Sequence, residues 1–389
     1  MSLREKLVAH GVPEAEIDEA ERNGTLLELA VDRILVGQPR YTSEEIAEKA
    51  DMDIEVLRRL WRALGFTDTD ERIFTDADLE AIGWVRRYND EGLADLRVTT
   101  QLTRVVGSSL ARIAEAQVDV LTDRIAAVGG ADLSQEQADE ALIGLLEEQL
   151  PQWAETFAYV HRRHLAAALQ RAEAARHGDV EHVLHTVGFA DLVGFTVLSQ
   201  QLDEAELADV VDRFESLAFD VVGRLGGRVV KMIGDEVMFV ADDVAAAAEI
   251  AITLSETYAD DETLSDVRVG LARGAAIVRE GDFFGPAVNL ASRLVNIAYP
   301  GSVVTDEVVR EALEGNESFE WKSMRPRRLK GIGWSAPWVL LRAADSPARR
   351  PASEVVHKVR AKRSQLVRKS RRPSALETAV DEPSAPPSD

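Results

Sequence analysis

The stretch RVVKMIGDEVMFV, which runs from Arg228 to Val240, decides the fold of the C-terminal half of this chain. Strand-forming apolar side chains stand on both sides of the dipeptide Gly234-Asp235. Two such runs around a Gly-Asp step are typical of a β-hairpin. We therefore expect two antiparallel strands joined at Asp235.

A second stretch, FADLVGFT from Phe189 to Thr196, has a related pattern. An apolar strand carries one acid, Asp191, and Gly194 then opens a helix predicted to start near Thr196. A carboxylate is costly to bury unless it is paired or holds a cation. Two strands that each end in one acid therefore predict a shared metal site built from Asp191 and Asp235. Taken alone, each motif also has a simpler interpretation as ordinary turn chemistry.

A third stretch, GDFFGPAVNLASRL, begins at Gly281. Together with FADLVGFT and KMIGDE, it resembles the signature blocks of the class III nucleotidyl cyclases, in their adenylyl branch. The resemblance covers Thr186 to Arg342, and it implies a ferredoxin-like βαββαβ core with additions. The alternation of helices with hairpins independently favours an α+β fold, with helices on one face of a sheet.

The coarse pattern of this region, 186–342, predicts the individual elements. Strands are expected at Val187–Leu192, Val267–Leu271, Ala275–Val278, Ser302–Thr305 and Trp338–Leu341, and helices at Leu198–Leu225, Val244–Tyr258 and Asn289–Ile297.

Cyclisation of ATP joins the ribose 3′-hydroxyl to the α-phosphorus and releases pyrophosphate. Two divalent ions can stabilise both the attacking and the leaving oxygen. Mg²⁺ or Mn²⁺ accepts carboxylate and phosphate oxygens. We assign the metal-binding role to Asp191 and Asp235, with the backbone carbonyl of Leu192, and expect two ions per site.

Base choice is predicted to rest on Lys231 and Asp282. A lysine donates to N1 of adenine and an aspartate accepts from its amino group, whereas guanine presents the opposite pattern. The pair therefore favours ATP over GTP. Because Asp282 follows Gly281, an ordinary turn residue is the alternative interpretation.

The remaining site residues are expected to hold the ribose and the phosphates. Asn289 and Arg293 stand four residues apart and therefore share one helical face. The resemblance implies that they orient the ribose and stabilise charge on the α-phosphate. The alternative interpretation is a solvated helix face. The backbone amides from Leu192 to Thr196, Gly194 and Phe195 included, are predicted to cradle the triphosphate. Lys330 is a weaker candidate for its terminal phosphates.

In the resembled family, one protomer supplies the metal-binding aspartates and the other supplies the base-reading and transition-state residues. This chain carries both sets. The resemblance therefore implies a head-to-tail homodimer with two sites and an inactive monomer.

Composition restricts the other classes of function. The chain has 389 residues, a formal net charge of −23 and no cysteine, which excludes disulfides and thiolate metal sites. It lacks an apolar run near the roughly 18 residues that span a bilayer, and its first residues lack the apolar core of a signal peptide. We therefore expect a cytoplasmic protein with two or three domains, and nucleic acid is an unfavoured partner because phosphate repels acidic surfaces.

Residues 1–170 are predicted to be helical almost throughout. Within them, residues 41–93 are similar to the helix-turn-helix and wing of MerR-type regulators, with Arg58, Arg59 and Arg62 on the recognition helix. DNA binding is one interpretation. The surrounding acids favour the other, a helical scaffold. Ahead of a cyclase-like region, this part looks like the pH-sensing regulatory domain found in some actinobacterial cyclases.

Five of the seven histidines lie within 25 residues, in and beside a linker predicted at 171–185: His161, His164, His177, His182 and His185. Histidine changes charge near physiological pH. We hypothesise a proton-sensitive switch; a linker with incidental histidines and, less well supported, a metal site are the alternatives. The tail at 343–389, basic and then rich in proline and serine, is predicted to be disordered.

These observations predict a regulated adenylyl cyclase that converts ATP to cyclic AMP. Two alternatives stay open at this point. One is a MerR-like transcriptional regulator that senses nucleotide through a cyclase-like domain, and the other is a guanylyl cyclase.

Overall fold

The computed structural model describes residues 1–129, 134–177 and 184–343. The chain divides into two compact units, Met1–Ala174 and Ala175–Asp389. No helix in the described ranges is long and apolar enough to cross a membrane. His182 and the predicted tail beyond Ala343 lie outside the described residues.

The first unit is helical, as predicted. Its elements are α1 Leu3–Ala9, α2 Glu14–Asn23, α3 Leu26–Val31, a π-helical turn Asp32–Val36, α4 Ser43–Lys49, α5 Ile54–Leu64, α6 Asp76–Asp90, α7 Leu96–Gly129 and α8 Gln135–His177.

Two small cores hold this unit together. The first joins α1, α2 and α3 to α8 through Leu3, Leu7, Val12, Ile17, Ala30 and Ile143. The second lies under α4, α5 and α6 and contains Ile46, Ala47, Leu57 and Phe74. Between residues 41 and 93, the only strand pairing is an isolated bridge between Tyr41 and Phe74. The expected wing is therefore absent as a hairpin from this segment, although its helices form.

The second unit contains all the strands of the described chain. Its elements are β1 Leu184–Leu192, α9 Phe195–Leu198, α10 Glu204–Arg224, β2 Arg228–Ile233, β3 Glu236–Ala241, α11 Val244–Asp260, β4 Val267–Ala275, β5 Ile277–Arg279, β6 Asp282–Phe284, α12 Pro286–Val295, β7 Ser302–Thr305, α13 Glu307–Ala312, β8 Phe319–Ser323, β9 Arg327–Leu329, β10 Gly333–Ser335 and β11 Trp338–Arg342.

The main sheet has the strand order β2-β3-β1-β4-β7-β11-β8. Its first four strands, with α10 and α11 as crossovers, form the ferredoxin-like arrangement that was predicted. The pair β4–β7 is parallel and the other pairs are antiparallel. The hairpins β5–β6 and β9–β10 form separate two-stranded sheets.

Strand alternation gives the sheet two different faces. Ala190 and Leu192 point into the core beneath α10 and α11. Val187 and Phe189 point into the opposite core, which α12 covers. Asp191 belongs by alternation to this second face, which therefore carries the candidate site.

Two predicted elements differ from the structure. The helix expected over Leu198–Leu225 is divided into α9 and α10, because Asp203 and Glu206 form a capping box that starts a new helix. The strand expected over Ala275–Val278 is also divided: β4 extends through Ala275 and β5 begins at Ile277. The pattern did not predict β6, α13 or β8 to β10, which are short elements with few buried residues.

Candidate active site

The structure brings Asp191 and Asp235 together at one end of the main sheet. Asp191 pairs with Glu236 across β1 and β3. The next residue, Leu192, donates its N–H to the carbonyl oxygen of Asp235 at 3.0 Å. Gly234, with φ of 62°, makes the tight turn that leaves Asp235 beside the end of β1.

These acids form an electrostatically unfavourable cluster. Burial raises the pKa of Asp191, with a further contribution from the charge of Asp235, and Arg268 opposes both. Burial, followed by the charges of Asp191 and Asp235, raises the pKa of Glu236 to about 7. Half-buried like charges of this kind are stabilised by a cation.

A divalent ion fits this donor set in part. In the described ranges, no three acid or histidine side chains converge closely enough to hold a metal by themselves. Asp191 and Asp235 would therefore supply two oxygens, and carbonyl, water or substrate phosphate oxygens would supply the others. Mg²⁺ and Mn²⁺ accept such mixed oxygen ligands.

Sequence reasoning missed Arg268, which faces the acid cluster from β4. It pairs with Asp191 in the β1–β4 register, and its Nη1 lies 4.0 Å from Asp191 Oδ2. Its Nε is buried and has no hydrogen-bond partner within the described residues. A charged residue between two core valines, Val267 and Val269, was the signal that could have identified it, since the same signal identified Asp191.

The predicted phosphate cradle is smaller than expected. The amides of Leu192 and Val193 already donate, to the carbonyl oxygens of Asp235 and Asp266. The amides of Gly194, Phe195 and Thr196 donate no backbone hydrogen bond in the described part of the chain. Gly194 adopts φ of 78°, which starts the single turn of α9. Three amides rather than five are therefore available to a ligand.

Lys231 and Asp282 contact each other. The Lys231 ammonium on β2 forms an ion pair with Asp282 Oδ2 on β6. Asp282 Oδ1 accepts the N–H of Phe283 at 2.8 Å. The two residues predicted to read the base thus form a preassembled donor and acceptor pair.

Asn289 and Arg293 both lie on α12 and are exposed. The opposite side of α12 packs closely on the sheet, so that a Cβ built on Gly270 would lie 2.4 Å from the Ala291 carbonyl oxygen. Asn289 and Arg293 consequently point away from the sheet. Within the described residues, neither side chain makes a hydrogen bond or ion pair.

Lys330 lies in the turn between β9 and β10 and is exposed. Its neighbour Leu329 is buried in the core beneath α12. In the part of the chain that the structure describes, no hydrogen bond or ion pair joins the Lys330 side chain to another predicted site residue.

The two members of the base-reading pair lie on different elements, Lys231 on β2 of the main sheet and Asp282 on the separate β5–β6 hairpin. Phe283, next to Asp282, packs against His185, near the start of β1. Asp191 stands six residues further along β1 than His185, which corresponds to about 20 Å at roughly 3.3 Å per residue. Lys231 is nearer to the acids, because it aligns with Met238 on β3 and through it with Phe189, two residues from Asp191. In the described ranges, no hydrogen bond or ion pair joins Asp191 or Asp235 to Lys231 or Asp282.

Three of the five histidines have described side chains, two in the first unit and one in the second. His161 and His164 are exposed on α8, and His177 is the last residue of that helix. His185 is partly buried, and its Nδ1 lies 3.1 Å from Asp242 Oδ1. Their regulatory role stays a prediction.

The arginines proposed for DNA binding are mostly paired with acids. Arg58 forms ion pairs with Glu55 and Asp70, and Arg62 forms one with Asp68. Neutralised guanidinium groups attract phosphate weakly. The scaffold interpretation of this helix is favoured.

Comparison with known proteins assigns both halves of the chain. Residues 1–166 match the family model of the adenylate cyclase regulatory domain, and residues 178–342 match that of the adenylate and guanylate cyclase catalytic domain. Among solved structures, the adenylyl cyclase CyaB from Pseudomonas aeruginosa aligns with a TM-score of 0.37 and 20% identity, over 42% of this chain and 95% of that chain.

Relatives align over most of the chain. An adenylate cyclase from Streptomyces coelicolor is 36% identical over 361 residues, which are 85% of this chain and 93% of the relative. A pH-sensitive adenylate cyclase from Mycobacterium tuberculosis is 32% identical over 325 residues, 81% of each chain. The chain therefore belongs to the adenylate cyclases, and it carries their regulatory domain ahead of their catalytic domain.

Proposed function

We propose that this adenylate cyclase forms 3′,5′-cyclic AMP and pyrophosphate from ATP at a site that two copies of the chain build together. The observation that carries the proposal is that Asn289 and Arg293 are exposed on α12 and point away from the sheet whose end holds Asp191 and Asp235. In one subunit, side chains that point away from the acids are badly placed to act on an α-phosphate bound at those acids. A second copy, placed head to tail, supplies the missing set.

Asp191 and Asp235 of one copy would hold two divalent ions, Mg²⁺ or Mn²⁺. Such ions supply charge that lowers the pKa of the 3′-hydroxyl and stabilises the leaving pyrophosphate. The raised pKa values of Asp191 and Glu236 support a cation here, because the protein alone leaves these carboxylates poorly neutralised.

The other copy would read the base and orient the ribose. Lys231 donates to adenine N1 and Asp282 accepts from the amino group, a pattern that disfavours guanine. Asn289 would orient the ribose, and the Arg293 guanidinium would stabilise charge on the α-phosphate, since its planar fork matches phosphate oxygens. The exposure of both side chains on α12 supports this role, because they are accessible to a neighbouring subunit.

Within the first copy, the free amides from Gly194 to Thr196 are the candidate phosphate contacts. Lys330 is a weaker candidate for the terminal phosphates. Arg268 balances the charge of Asp191 and lies at the same end of the sheet.

Mixing two inactive variants tests the shared site. Asp235→Ala and Arg293→Ala should each be inactive alone, because each homodimer lacks one half of both sites. Mixed one to one, half of the dimers are heterodimers with one intact site of two, so about a quarter of parental activity should return. No recovery after verified subunit exchange would contradict the shared site, and substantial activity of Asp235→Ala alone would contradict the metal assignment.

We further propose that the N-terminal domain regulates the reaction in response to protons. The pH-sensitive relative from M. tuberculosis supports this, as do the histidines His161, His164, His177, His182 and His185. The test is the activity of the full chain between about pH 5.5 and 7.5. If all five histidines are replaced and the profile does not change, the sensor lies elsewhere.

A further inference from the structure

Asp282 stands on a hairpin that is not part of the main sheet. Strands β5 and β6 pair with each other and form a separate two-stranded sheet. Backbone ladder hydrogen bonds therefore do not fix the position of Asp282 relative to Lys231 on β2. Side-chain contacts must do so.

Phe283 is the anchor of this hairpin. Its ring is 2% exposed and lies in the core beneath α12. The His185 ring meets it edge-on, with centroids 5.1 Å apart. The Arg228 guanidinium lies 5.2 Å from the same ring centroid, within the range of a cation–π contact.

The His185 ring is itself held. Its Nδ1 lies 3.1 Å from Asp242 Oδ1. A carboxylate only accepts hydrogen bonds, so Nδ1 carries the proton and donates. This bond sets the angle at which the ring edge meets Phe283.

The contacts that His185 and Arg228 make with the Phe283 ring also affect the base-reading pair. The N–H of Phe283 donates to Asp282 Oδ1 at 2.8 Å, while Lys231 holds Oδ2. Arg228 and Lys231 both stand on β2, so one strand fixes the ring and the neighbouring carboxylate together.

We propose that His185 and Arg228 are positioning residues, which grip the Phe283 ring and thereby hold Asp282 and Lys231 in the geometry that selects adenine. This inference rests on the proposed function, in which Lys231 and Asp282 read the base. A hydrogen-bonding site rejects the wrong partner only when donor and acceptor are correctly placed, because hydrogen bonds weaken steeply with misalignment. Loosening the grip therefore affects base selection and substrate affinity more than the chemical step.

The experiment measures kcat and KM for ATP and for GTP, with Mn²⁺, on the full-length chain. Arg228→Met and His185→Leu keep apolar bulk but remove the cation and the oriented ring, respectively. Arg228→Lys keeps a cation near the ring and is the conservative rescue. Arg224→Met is the matched control, because Arg224 is exposed on α10, on the other side of the sheet.

Arg228→Met and His185→Leu are expected to raise KM for ATP about tenfold, and to lower the ATP-to-GTP ratio of kcat/KM about tenfold, a typical size for a disturbed specificity contact. For both variants, we expect kcat to stay within about threefold of the parent value. For Arg228→Lys and Arg224→Met, we expect KM and the ATP-to-GTP ratio to stay within about twofold of the parent values. The double variant should be less than additive, because both side chains act through one ring.

A lowered melting temperature with unchanged KM and base ratio would overturn the proposal and leave only a packing role. Asp282→Ala separates this failure from that of the proposed function. If Asp282→Ala leaves the ATP-to-GTP ratio unchanged, the assignment of the base-reading pair is wrong. If Asp282→Ala changes the ratio and Arg228→Met does not, only the positioning inference is wrong.

Discussion

Glu236→Gln should stabilise the metal-free protein at high pH. Glu236 pairs with Asp191 across β1 and β3, and its pKa is raised to about 7 by burial and by the charges of Asp191 and Asp235. Ionising Glu236 in the folded protein costs free energy, and this cost grows as the pH rises from the unfolded pKa, near 4.5, to the folded pKa. Stability from this side chain is therefore lost as the pH rises through that window. Glutamine has nearly the same shape and never ionises.

The magnitude follows from the size of the shift. A difference of about 2.5 pKa units corresponds to roughly 3 kcal/mol if the side chain were fully buried. Glu236 is only partly buried, so solvent screening reduces the expected effect to about 1 to 2 kcal/mol. We expect Glu236→Gln to exceed the parent in free energy of unfolding by this amount at pH 8, and by much less at pH 5.

The assay is urea unfolding at fixed protein concentration, with a chelator or with Mn²⁺. A bound cation favours ionised carboxylates, so Mn²⁺ should remove the advantage of Glu236→Gln. Glu311→Gln, at an exposed position on α13, is the control and should not change stability at either pH. If the difference between Glu236→Gln and the parent is the same at pH 5 and pH 8 without metal, the acid cluster is not electrostatically coupled as described.

Three further predictions concern the scaffold of the site. Burial raises the pKa of Asp306, which caps α13, from 3.8 to about 6. Stability is therefore lost as the pH rises through this window, and urea unfolding at pH 4.5 and 7 should show the parent losing about 2 kcal/mol more than Asp306→Asn over this interval. Gly270→Ala places a Cβ 2.4 Å from the Ala291 carbonyl oxygen. It should lower the free energy of unfolding by about 1 to 3 kcal/mol and should lower kcat, because the displaced helix α12 carries Asn289 and Arg293. Gly223→Ala, whose Cβ would have open space around it, is the control and should leave kcat unchanged. Arg342, whose side chain is 9% exposed, forms ion pairs with Glu249 and Glu256. Arg342→Met should lower the free energy of unfolding by about 2 kcal/mol, because it leaves two carboxylates without their partner. A decrease in the thermal midpoint of less than about 1 °C would contradict this prediction.

Local chemistry made much of the fold predictable. The turn at Gly234-Asp235 and the turn at Gly194 both occur where the sequence indicates them, and both glycines adopt positive φ. The order of strands and helices in the ferredoxin-like core also followed from periodicity and resemblance. The misplaced boundaries lie where a capping box or a short hairpin interrupts a longer pattern, as at Asp203 and Ile277.

The sequence by itself indicated the candidate residues for the chemistry, because acids within strands and spaced helical pairs are visible along the chain. Only the tertiary structure decided which of them meet. Arg268 faces Asp191 because of the register between β1 and β4. Phe283 packs against His185 although the two residues are far apart in the sequence. Strand register and hairpin docking depend on contacts between segments that are distant in the sequence, and a pattern read along the chain does not contain those contacts.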